Sequence, residues 1–538
     1  MNYSKIISSI IRFLKKASGK DFLSEYNKVK KIKKSRNTKY NIIIIPFFFD
    51  NNHAFEAIYN RKAEFEGVDV YNYLCGQGIE YCEKINSVMK FKNIRCELCY
   101  KKQIEFSSKF NLNSWFMNDH INYQDNLVIE ENIERFFSND KNNFIFKGVN
   151  INKVLKSSLQ RFYFEAEPVI SDNQITRGFL KTIFISIIEF EKLYNKVNPK
   201  YVLTSHGTYS VWGSIVEYCK YHNIPIIVWG RVYNNWGIYF ANDESYLTEM
   251  VNLDNNKWND IKMTTQKKKL IVDYLDKRTS ESDTDFIYDY NSDHKKQLDK
   301  SNIYKLLDIP KDKKIVGMFP NIPWDGSVTG VSEAFSSYID WVKATIDFFI
   351  KRKNIYLLIR THPAEKANDA EIGRETFSTI VNEIYNELPE NIIIIPADSQ
   401  INSFAVGKAS EFGTYYCSTI GMELTYLGIP LICAGPSPLR NKFIVNDAKN
   451  KNDYQNLLSK GLKNKLKVSK TNMKNLLKFS YYNNFTRVMP EQFINYTRQG
   501  FKGLKFNDET FIFKNEVLEH LFQTIENKND YNFDEFHL

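Results

Sequence analysis

The strict alternation of short apolar runs with amphipathic patterns constrains this chain most, and it is clearest between residues 314 and 435. Apolar runs of strand length predict buried strands at 314–320, 355–359, 391–396, 414–417 and 429–433. Helical periodicity predicts the connecting helices at 331–351, 368–388, 401–410 and 420–427. This rhythm predicts a doubly wound parallel sheet with helices on both faces.

A similar rhythm in the first half predicts a second sheet of the same kind. The run 41–50 is almost continuously apolar, as in a strand buried on both faces. Further strands are predicted at 68–74, 147–151, 201–205 and 224–229, with helices at 178–197 and 209–222. The stretch 79–140 is polar and helix-like, without a clear strand.

The predicted fold class is therefore α/β, with two Rossmann-like domains facing each other across a cleft and with C-terminal helices. A length of 538 residues suits two cores, because a single core stops growing near ~250–300 residues. The predicted division is a basic amphipathic segment at 1–40, a first domain at 41–250, a polar linker at 251–313, a second domain at 314–450 and a helical segment at 451–538.

The formal net charge of +10 favours an anionic partner, either a membrane surface or a substrate. No zinc-finger, homeodomain or RNA-recognition pattern occurs, so nucleic acid is not an expected partner. No apolar run reaches the ~18–20 residues of a membrane span, and the N-terminus lacks a signal-peptide pattern. Residues 5–16 suit either a helix lying on a membrane or one packed on its own domain. We expect a cytoplasmic protein, free or peripheral on the inner membrane face.

The cysteines and one acidic pair raise the question of metal binding. Seven cysteines without a secretion signal indicate a reducing compartment. Four of them lie close together in the sequence, namely Cys75, Cys82, Cys96 and Cys99. Four thiolates suit a zinc site, but the six-residue spacing of the first pair favours free thiols. Asp283 and Asp285 have a metal-binding spacing, yet they lie in the polar linker rather than after a strand. No metal is expected.

Open α/β sheets bind ligands beyond the carboxyl ends of their strands, so the residues there are the candidate site. Arg360 and His362 follow the strand 355–359, and Pro363 ends it. Both side chains are placed to meet an anion, and a histidine can donate a proton to a leaving phosphate. The alternative is a histidine bonded to the backbone of a turn.

Ser418 and Thr419 open the helix that follows the strand 414–417. Backbone N–H groups at such a helix start bind anions, which suits the phosphates of a nucleotide without a metal. Glu423 lies four residues after Thr419, whereas a capping box requires three. A carboxylate there can accept hydrogen bonds from a ribose. The alternative is that Ser418 and Thr419 are ordinary caps.

Three further strand ends carry polar residues. Asn321, Trp324 and Asp325 follow the first strand of the second domain, where an aromatic ring beside a carboxylate suits a sugar, although a plain turn is equally compatible. His206 ends the strand 201–205 and is placed to take a proton from an acceptor hydroxyl across the cleft. Asp50 and His53 follow the first strand and are weaker candidates.

These motifs together resemble the capsular polysaccharide glycosyltransferases, a family that includes the capsule Kdo transferases and, more distantly, bacterial polysialyltransferases. The resemblance rests on the ordered strings NIPWD, RTHPAE and CSTIGMELTYLGIPLICAG, and on SHGTYSVWGSIVEYCKYHNIPIIVW in the first domain. It covers residues 201–229 and 314–435. It implies a GT-B-like fold, metal-independent transfer, and a second domain in which His362, Ser418, Thr419 and Glu423 contact the donor nucleotide.

The sequence thus predicts a glycosyltransferase that moves a sugar from a nucleotide-sugar to a growing or lipid-linked glycan of a capsule or O-antigen type. The predicted catalytic residues are His206, Asp325 and His362. The predicted donor-binding residues are Asn321, Trp324, Arg360, His362, Ser418, Thr419 and Glu423. No cofactor is expected beyond the donor, which is CMP-linked or UDP- or GDP-linked. The alternatives are a teichoic-acid-like glycerophosphotransferase, a nucleotide-sugar epimerase of the same fold, and a non-catalytic assembly scaffold.

Overall fold

The computed structural model describes residues 38–48, 52–85, 87, 92–232, 236–280, 298–330, 332–365, 375–497 and 500–538. Four predicted features therefore lie outside the described residues: the N-terminal segment up to residue 37, Asp50, Asp283 and Asp285.

The first domain is a layered α/β unit around a mostly parallel sheet. Its elements are β1 (Tyr40–Ile45), α1 (His53–Phe65), β2 (Val68–Leu74), α2 (Lys92–Phe110), β3 (Asn113–Phe116), α3 (Tyr123–Ser138), β4 (Ile145–Phe146), β5 (Val149–Asn150), α4 (Ile151–Tyr163), α5 (Gln174–Val197), β6 (Val202–Ser205), α6 (Ser214–Tyr221), β7 (Ile226–Arg231) and β8 (Ile238–Asn242). Ile42–Ile45 are fully buried because helices cover both faces of this central strand.

The second domain repeats the layered plan. Its elements, after the connecting helices α7 (Tyr246–Asn252), α8 (Asn256–Asn259), α9 (Thr265–Thr279) and α10 (Lys300–Leu306), are β9 (Lys314–Phe319), α11 (Tyr338–Ile350), β10 (Ile355–Arg360), α12 (Phe377–Ile384), β11 (Ile392–Ile395), α13 (Ser403–Ala409), β12 (Phe412–Tyr415), α14 (Ile420–Tyr426), β13 (Leu431–Cys433) and β14 (Asn446–Asp447).

Strand order shows where each sheet opens to a ligand. Within the described residues the first sheet runs β8-β7-β6-β1-β2-β3, and the second runs β11-β10-β9-β12-β13-β14. Every pair in the second sheet is parallel, and in the first sheet only the pairings of β8 are antiparallel. The order of connection reverses between β1 and β6 and again between β9 and β12, which are the positions where such sheets bind ligands.

The C-terminal segment crosses back to the first domain. Its elements are α15 (Lys451–Leu462), α16 (Lys470–Tyr481), β15 (Val488–Met489), β16 (Ile494–Thr497), β17 (Gly500–Leu504), α17 (Thr510–Lys514) and α18 (Glu516–Glu526). Helix α16 packs on the second domain, whereas β15 pairs antiparallel with β8 at the edge of the first sheet. Leu518 and Leu521 of α18 then join the first core. The segment therefore belongs to both domains.

The two sheets confirm the predicted fold class, and the departures from the predicted elements have physical reasons. The described part of the predicted linker is largely helical, and Trp258, Ile271 and Ile303 lie in the core of the second domain. Helix α9 buries only a narrow apolar stripe and is otherwise polar, which is why its sequence resembles a polar linker. Strand β3 went unpredicted because only Trp115 is buried in this edge strand. Within the predicted strand 147–151, only the two residues of β5 form a strand, and they pair antiparallel with β4.

None of the helices in the described ranges is both long enough and apolar enough to cross a membrane.

Candidate functional site

The carboxyl ends of β9, β10 and β12 lie side by side, because these strands are neighbours and parallel. Asn321, in the loop after β9, accepts a hydrogen bond through Oδ1 from the backbone N–H of Cys417 at 3.1 Å. The hydroxyl of Tyr338 donates to the carbonyl of Asn321 at 2.9 Å. Asn321 therefore ties the loop after β9 to the loop after β12, and it is buried while doing so.

Arg360 holds the turn after β10. Its Nη1 donates to the carbonyl oxygens of Thr361 at 2.7 Å and Pro396 at 3.0 Å, and its Nη2 donates to that of Ala397 at 3.3 Å. Burial lowers the pKa of this guanidinium to about 10. The contacts are structural, and the predicted role of Arg360 in donor binding remains a prediction.

His362 is presented by that turn in a defined protonation state. Its Nδ1 accepts a hydrogen bond from the backbone N–H of Ala364 at 3.1 Å, which is the turn bonding considered from the sequence. Burial lowers the pKa of His362 to about 4, although the carboxylate of Asp325 acts in the opposite direction. At neutral pH the ring is therefore uncharged, with its proton on Nε2. His362 is equipped to donate one hydrogen bond rather than to act as a strong acid.

Asp325 lies between the loops of both domains. Its carboxylate accepts from the backbone N–H of Ser327 at 2.8 Å, which fixes the start of a short 3₁₀ turn. Besides its effect on His362, the charge of Asp325 adds to the burial that raises the pKa values of Cys417 and Tyr209. Two of the three predicted catalytic residues, Asp325 and His362, are therefore near enough for the charge of one to act on the other.

Tyr209 is a site residue that the sequence analysis missed. It has a left-handed φ of 72° and begins a π turn ahead of α6, a feature often found at functional sites. A Cβ placed on Gly326 would lie 3.7 Å from the Tyr209 hydroxyl. Burial raises the pKa of Tyr209, and Arg161 opposes that rise. Tyr209 therefore carries a neutral hydroxyl from the first domain to the loop of Asp325.

Trp324 packs against the first domain. Its ring meets Phe164 edge-on at 4.7 Å between centroids, and the guanidinium of Arg161 lies 5.3 Å from its centre. Beside it, Gln160 Nε2 donates to the carbonyl of Pro323 at 3.2 Å. The sequence predicted a sugar-binding ring, whereas these contacts make Trp324 part of the contact between domains.

His206 has several neighbours within its own domain. Its ring stacks on Phe47 at 4.3 Å, its Nδ1 hydrogen-bonds the hydroxyl of Ser205, and its carbonyl accepts from Ser245. These neighbours all belong to the first domain. The left-handed φ of 62° at His206 shows that the loop after β6 is constrained.

His53, the weaker candidate from the first strand end, is a core residue. It is 1% exposed, and its ring stacks on Phe48 at 4.6 Å. It therefore does not face the site.

Thr419 and Glu423 meet a partner from the predicted linker. Thr419 is the N-cap of α14, but its side chain makes no capping hydrogen bond, and Ser418 before it is half-buried. Arg278 of α9 donates to Glu423 Oε1 through Nε at 2.8 Å and also through Nη2, which reaches Thr419 Oγ1 at 3.3 Å. Glu423, predicted to bind a ribose, thus holds an arginine in this structure.

The four clustered cysteines lie near the carboxyl end of β2 as free thiols. Cys99 Sγ accepts hydrogen bonds from Lys84 Nζ at 3.6 Å and from Gln103 Nε2 at 3.5 Å. Burial raises the pKa of Cys75 to about 12, and the neighbouring Cys99 adds to this rise. In the described part of the chain, no group of three or more His, Cys, Asp or Glu side chains is arranged to hold a metal ion.

Comparison with known proteins gives likenesses of fold at low similarity. No protein-family description and no curated protein matches the sequence. Among solved structures, the chain is similar to the beta Kdo 2,4 transferase KpsC of Thermosulfurimonas dismutans, with a TM-score of 0.31 and 8% identity over 52% of this chain and 79% of that one. The chain is also similar to the beta Kdo 2,7 transferase KpsC of the same organism, with a TM-score of 0.30 and 13% identity over 64% of this chain and 90% of that one.

A third solved structure belongs to an enzyme of another type. It is the UDP-GlcNAc 2-epimerase of Neisseria meningitidis bound to UDP-GlcNAc, with a TM-score of 0.23 and 10% identity over 82% of this chain and 96% of that one. At such TM-scores these likenesses carry no argument about activity. Strand order and the convergent loops themselves define a two-domain α/β protein with its candidate site between two sheets.

Proposed function

We propose that this chain is a glycosyltransferase that moves a sugar from a nucleotide-sugar to a growing or lipid-linked surface glycan at the cytoplasmic face of the membrane. The observation that carries the proposal is the position of the loop after β9: the charge of Asp325 acts on both His362 and Tyr209, and a Cβ on the adjacent Gly326 would lie 3.7 Å from the Tyr209 hydroxyl of the first domain. The capsule-type motifs quoted above include both residues of the second domain.

The chemistry proposed for His362 follows from its neutral ring. In the transfer, the bond between the anomeric carbon and the donor phosphate breaks, and negative charge grows on the leaving phosphate. A hydrogen bond from Nε2 of His362 stabilises that charge without a proton transfer. Because the ring is already neutral, no proton has to be lost before it donates.

The proton of the acceptor hydroxyl needs a base near the new bond. Asp325 is the carboxylate proposed for this task, since its charge acts on both His362 of the second domain and Tyr209 of the first. The acceptor oxygen then bonds to the anomeric carbon while its proton passes to Asp325. His206 stays the predicted alternative base from the first domain. The scheme uses no metal, so activity is expected to persist in EDTA.

A panel of nucleotide-sugars, each with and without a glycan acceptor, tests this proposal. We expect nucleotide release that depends on the acceptor, with product glycan detected by mass spectrometry. Conversion of the donor without acceptor would identify an epimerase instead. Consumption of only a nucleotide-activated polyol phosphate would identify a phosphotransferase. An absence of turnover with every donor would favour the non-catalytic assembly scaffold.

A further inference from the structure

Arg278 extends from the predicted linker to the loop that follows β12. It lies in the last turn of α9, and the side chains of Arg278 and Glu423 are only 10% and 8% exposed. The guanidinium donates twice to one carboxylate oxygen of Glu423 and once to the hydroxyl of Thr419. Its orientation is therefore fixed by two residues that the sequence analysis assigned to the donor site.

A stabilising role alone explains this arrangement poorly. Removing two charges from water is costly, and a buried ion pair often contributes no more than apolar side chains of similar size. The pair lies at the carboxyl edge of the second sheet, beside Ser418 and Thr419. An arginine guanidinium forms strong, charge-assisted hydrogen bonds with phosphate oxygens.

We infer that Arg278 binds a phosphate of the nucleotide donor, and that Glu423 is a positioning residue that holds Arg278 in place. This inference rests on the proposed function, because it assumes a nucleotide ligand. It differs from the expectation that Glu423 binds the ribose, because Oε1 of Glu423 accepts both hydrogen bonds from Arg278. It also explains why a helix of the predicted linker packs against α14.

Calorimetric titration of the full chain with UDP, GDP and CMP is the first measurement, followed by the nucleoside of whichever nucleotide binds. We expect Arg278→Gln to weaken nucleotide binding by about tenfold or more, because a charge-assisted hydrogen bond is lost. Binding of the nucleoside, which has no phosphate, should change less than about twofold. Arg278→Lys keeps the charge and should fall between wild type and Arg278→Gln.

A double-mutant cycle separates the two roles of Glu423. If Glu423 acts through Arg278, Glu423→Gln weakens binding, but it adds nothing in the Arg278→Gln background. If Glu423 binds the ribose on its own, the two effects add, and nucleoside binding falls as well.

Exchange of the two charges provides the control for stability. The variant Arg278→Glu with Glu423→Arg retains an ion pair and should recover thermal stability, but not nucleotide affinity. Arg487→Gln removes another buried ion pair, in which Arg487 Nη1 lies 2.8 Å from Glu249 Oε1 at the far edge of the first sheet. This variant should lower stability while nucleotide affinity is kept.

The outcomes distinguish this inference from the proposed function. Wild-type protein that binds none of the nucleotides would overturn both. Wild-type binding with unchanged affinity in Arg278→Gln, or affinity recovered by the charge exchange, would overturn only the role of Arg278.

Discussion

At the scale of single residues, the site depends on which nitrogen of His362 carries the proton. The hydrogen bond from the backbone N–H of Ala364 occupies Nδ1, and burial keeps the ring neutral. A neutral ring with a proton on Nε2 can stabilise charge at any pH well above its lowered pKa of about 4. The function proposed for His362 is therefore that of a hydrogen-bond donor.

Two substitutions of His362 should differ in activity. His362→Ala removes the N–H donor and should reduce kcat by about 10²–10³-fold. His362→Gln retains an amide N–H at a similar distance and should stay within about tenfold of wild type. Steady-state kinetics with the donor identified by the panel checks both values. Equal losses in the two variants would indicate that His362 transfers a proton instead.

The lowered pKa of His362 also predicts a pH dependence of stability. Unfolded histidine titrates near a pKa of about 6.5, whereas folded His362 titrates near about 4. Between these values the unfolded chain binds a proton that the folded chain does not, so the free energy of unfolding falls as pH is lowered through this range. Below the folded pKa both states bind the proton, and this contribution stops changing.

Urea denaturation at about pH 7 and about pH 5 measures this effect. His362→Gln lacks the titrating ring, so its stability should fall less between the two pH values than that of wild type. An identical fall in both proteins would show that His362 is not held neutral by the fold.

The part of the candidate site that follows strand ends could be predicted from the sequence. The residues that reach the site only through tertiary packing could not. His362 and Asp325 follow apolar runs directly, so the rule for parallel sheets locates them from sequence. Tyr209 reaches the second domain because its backbone is left-handed, which an ordinary Tyr in a loop does not reveal. Arg278 is 145 residues from Glu423 along the chain, and only the packing of α9 on α14 joins them.

At the scale of elements, the loop after β9 serves both the site and the contact between domains. Asp325 lies at the site, while the neighbouring Trp324 packs on Phe164 and Arg161 at the end of α4. A second contact lies close by, where Glu375 Oε2 accepts from the backbone N–H of Ala166 at 2.6 Å. Displacement of this loop would therefore disturb Asp325 and the domain contact together.

Substitution of Trp324 tests this dual role. Trp324→Ala should lower the free energy of unfolding by about 1–3 kcal/mol, less than the ~3–5 kcal/mol of a fully buried aromatic ring, because Trp324 is half-buried. Trp324→Phe keeps an edge-to-face contact with Phe164 and should lose less than half of that amount. Urea denaturation gives both values. Unchanged stability combined with a raised KM for the sugar substrate would contradict the packing role and support the predicted sugar-binding role.

How well an element could be predicted from the sequence depends on how many of its faces are buried. Strands covered on both faces, such as β1 and β9, are continuous apolar runs, and both were predicted. The end of β9 was predicted to within one residue, whereas the predicted run 41–50 continues past the end of β1 at Ile45. Edge strand β3 and helix α9 bury one narrow face, so their apolar residues are too sparse to be distinguished from a polar connection.

At the scale of the whole molecule, the part of the chain that the structure describes passes between the domains twice. The first passage follows α7, and the second runs from the end of α16 to β15. The two passages contact each other, since Arg487 Nη1 donates to Glu249 at 2.8 Å and Val488 packs with Met250. The first domain therefore depends on residues from both ends of the sequence.

This dependence predicts a long-range effect on stability. Leu521 of α18 is fully buried in the first core, so Leu521→Ala should lower the free energy of unfolding of that domain by about 2–5 kcal/mol. Leu306→Ala, at an exposed leucine of α10, should change stability by less than about 0.5 kcal/mol. Urea denaturation compares the two variants. Equal stabilities would show that α18 is dispensable to the first core.

The paired passages also limit how the domains can move. A body joined to another at one flexible point can rotate about three axes, whereas two neighbouring attachments leave mainly rotation about the line that joins them. The backbone on either side of Arg487 and Glu249 supplies those two attachments. Any movement that separates Tyr209 from Gly326 would then be mainly a rotation about that line, which would limit the directions in which the candidate site can open.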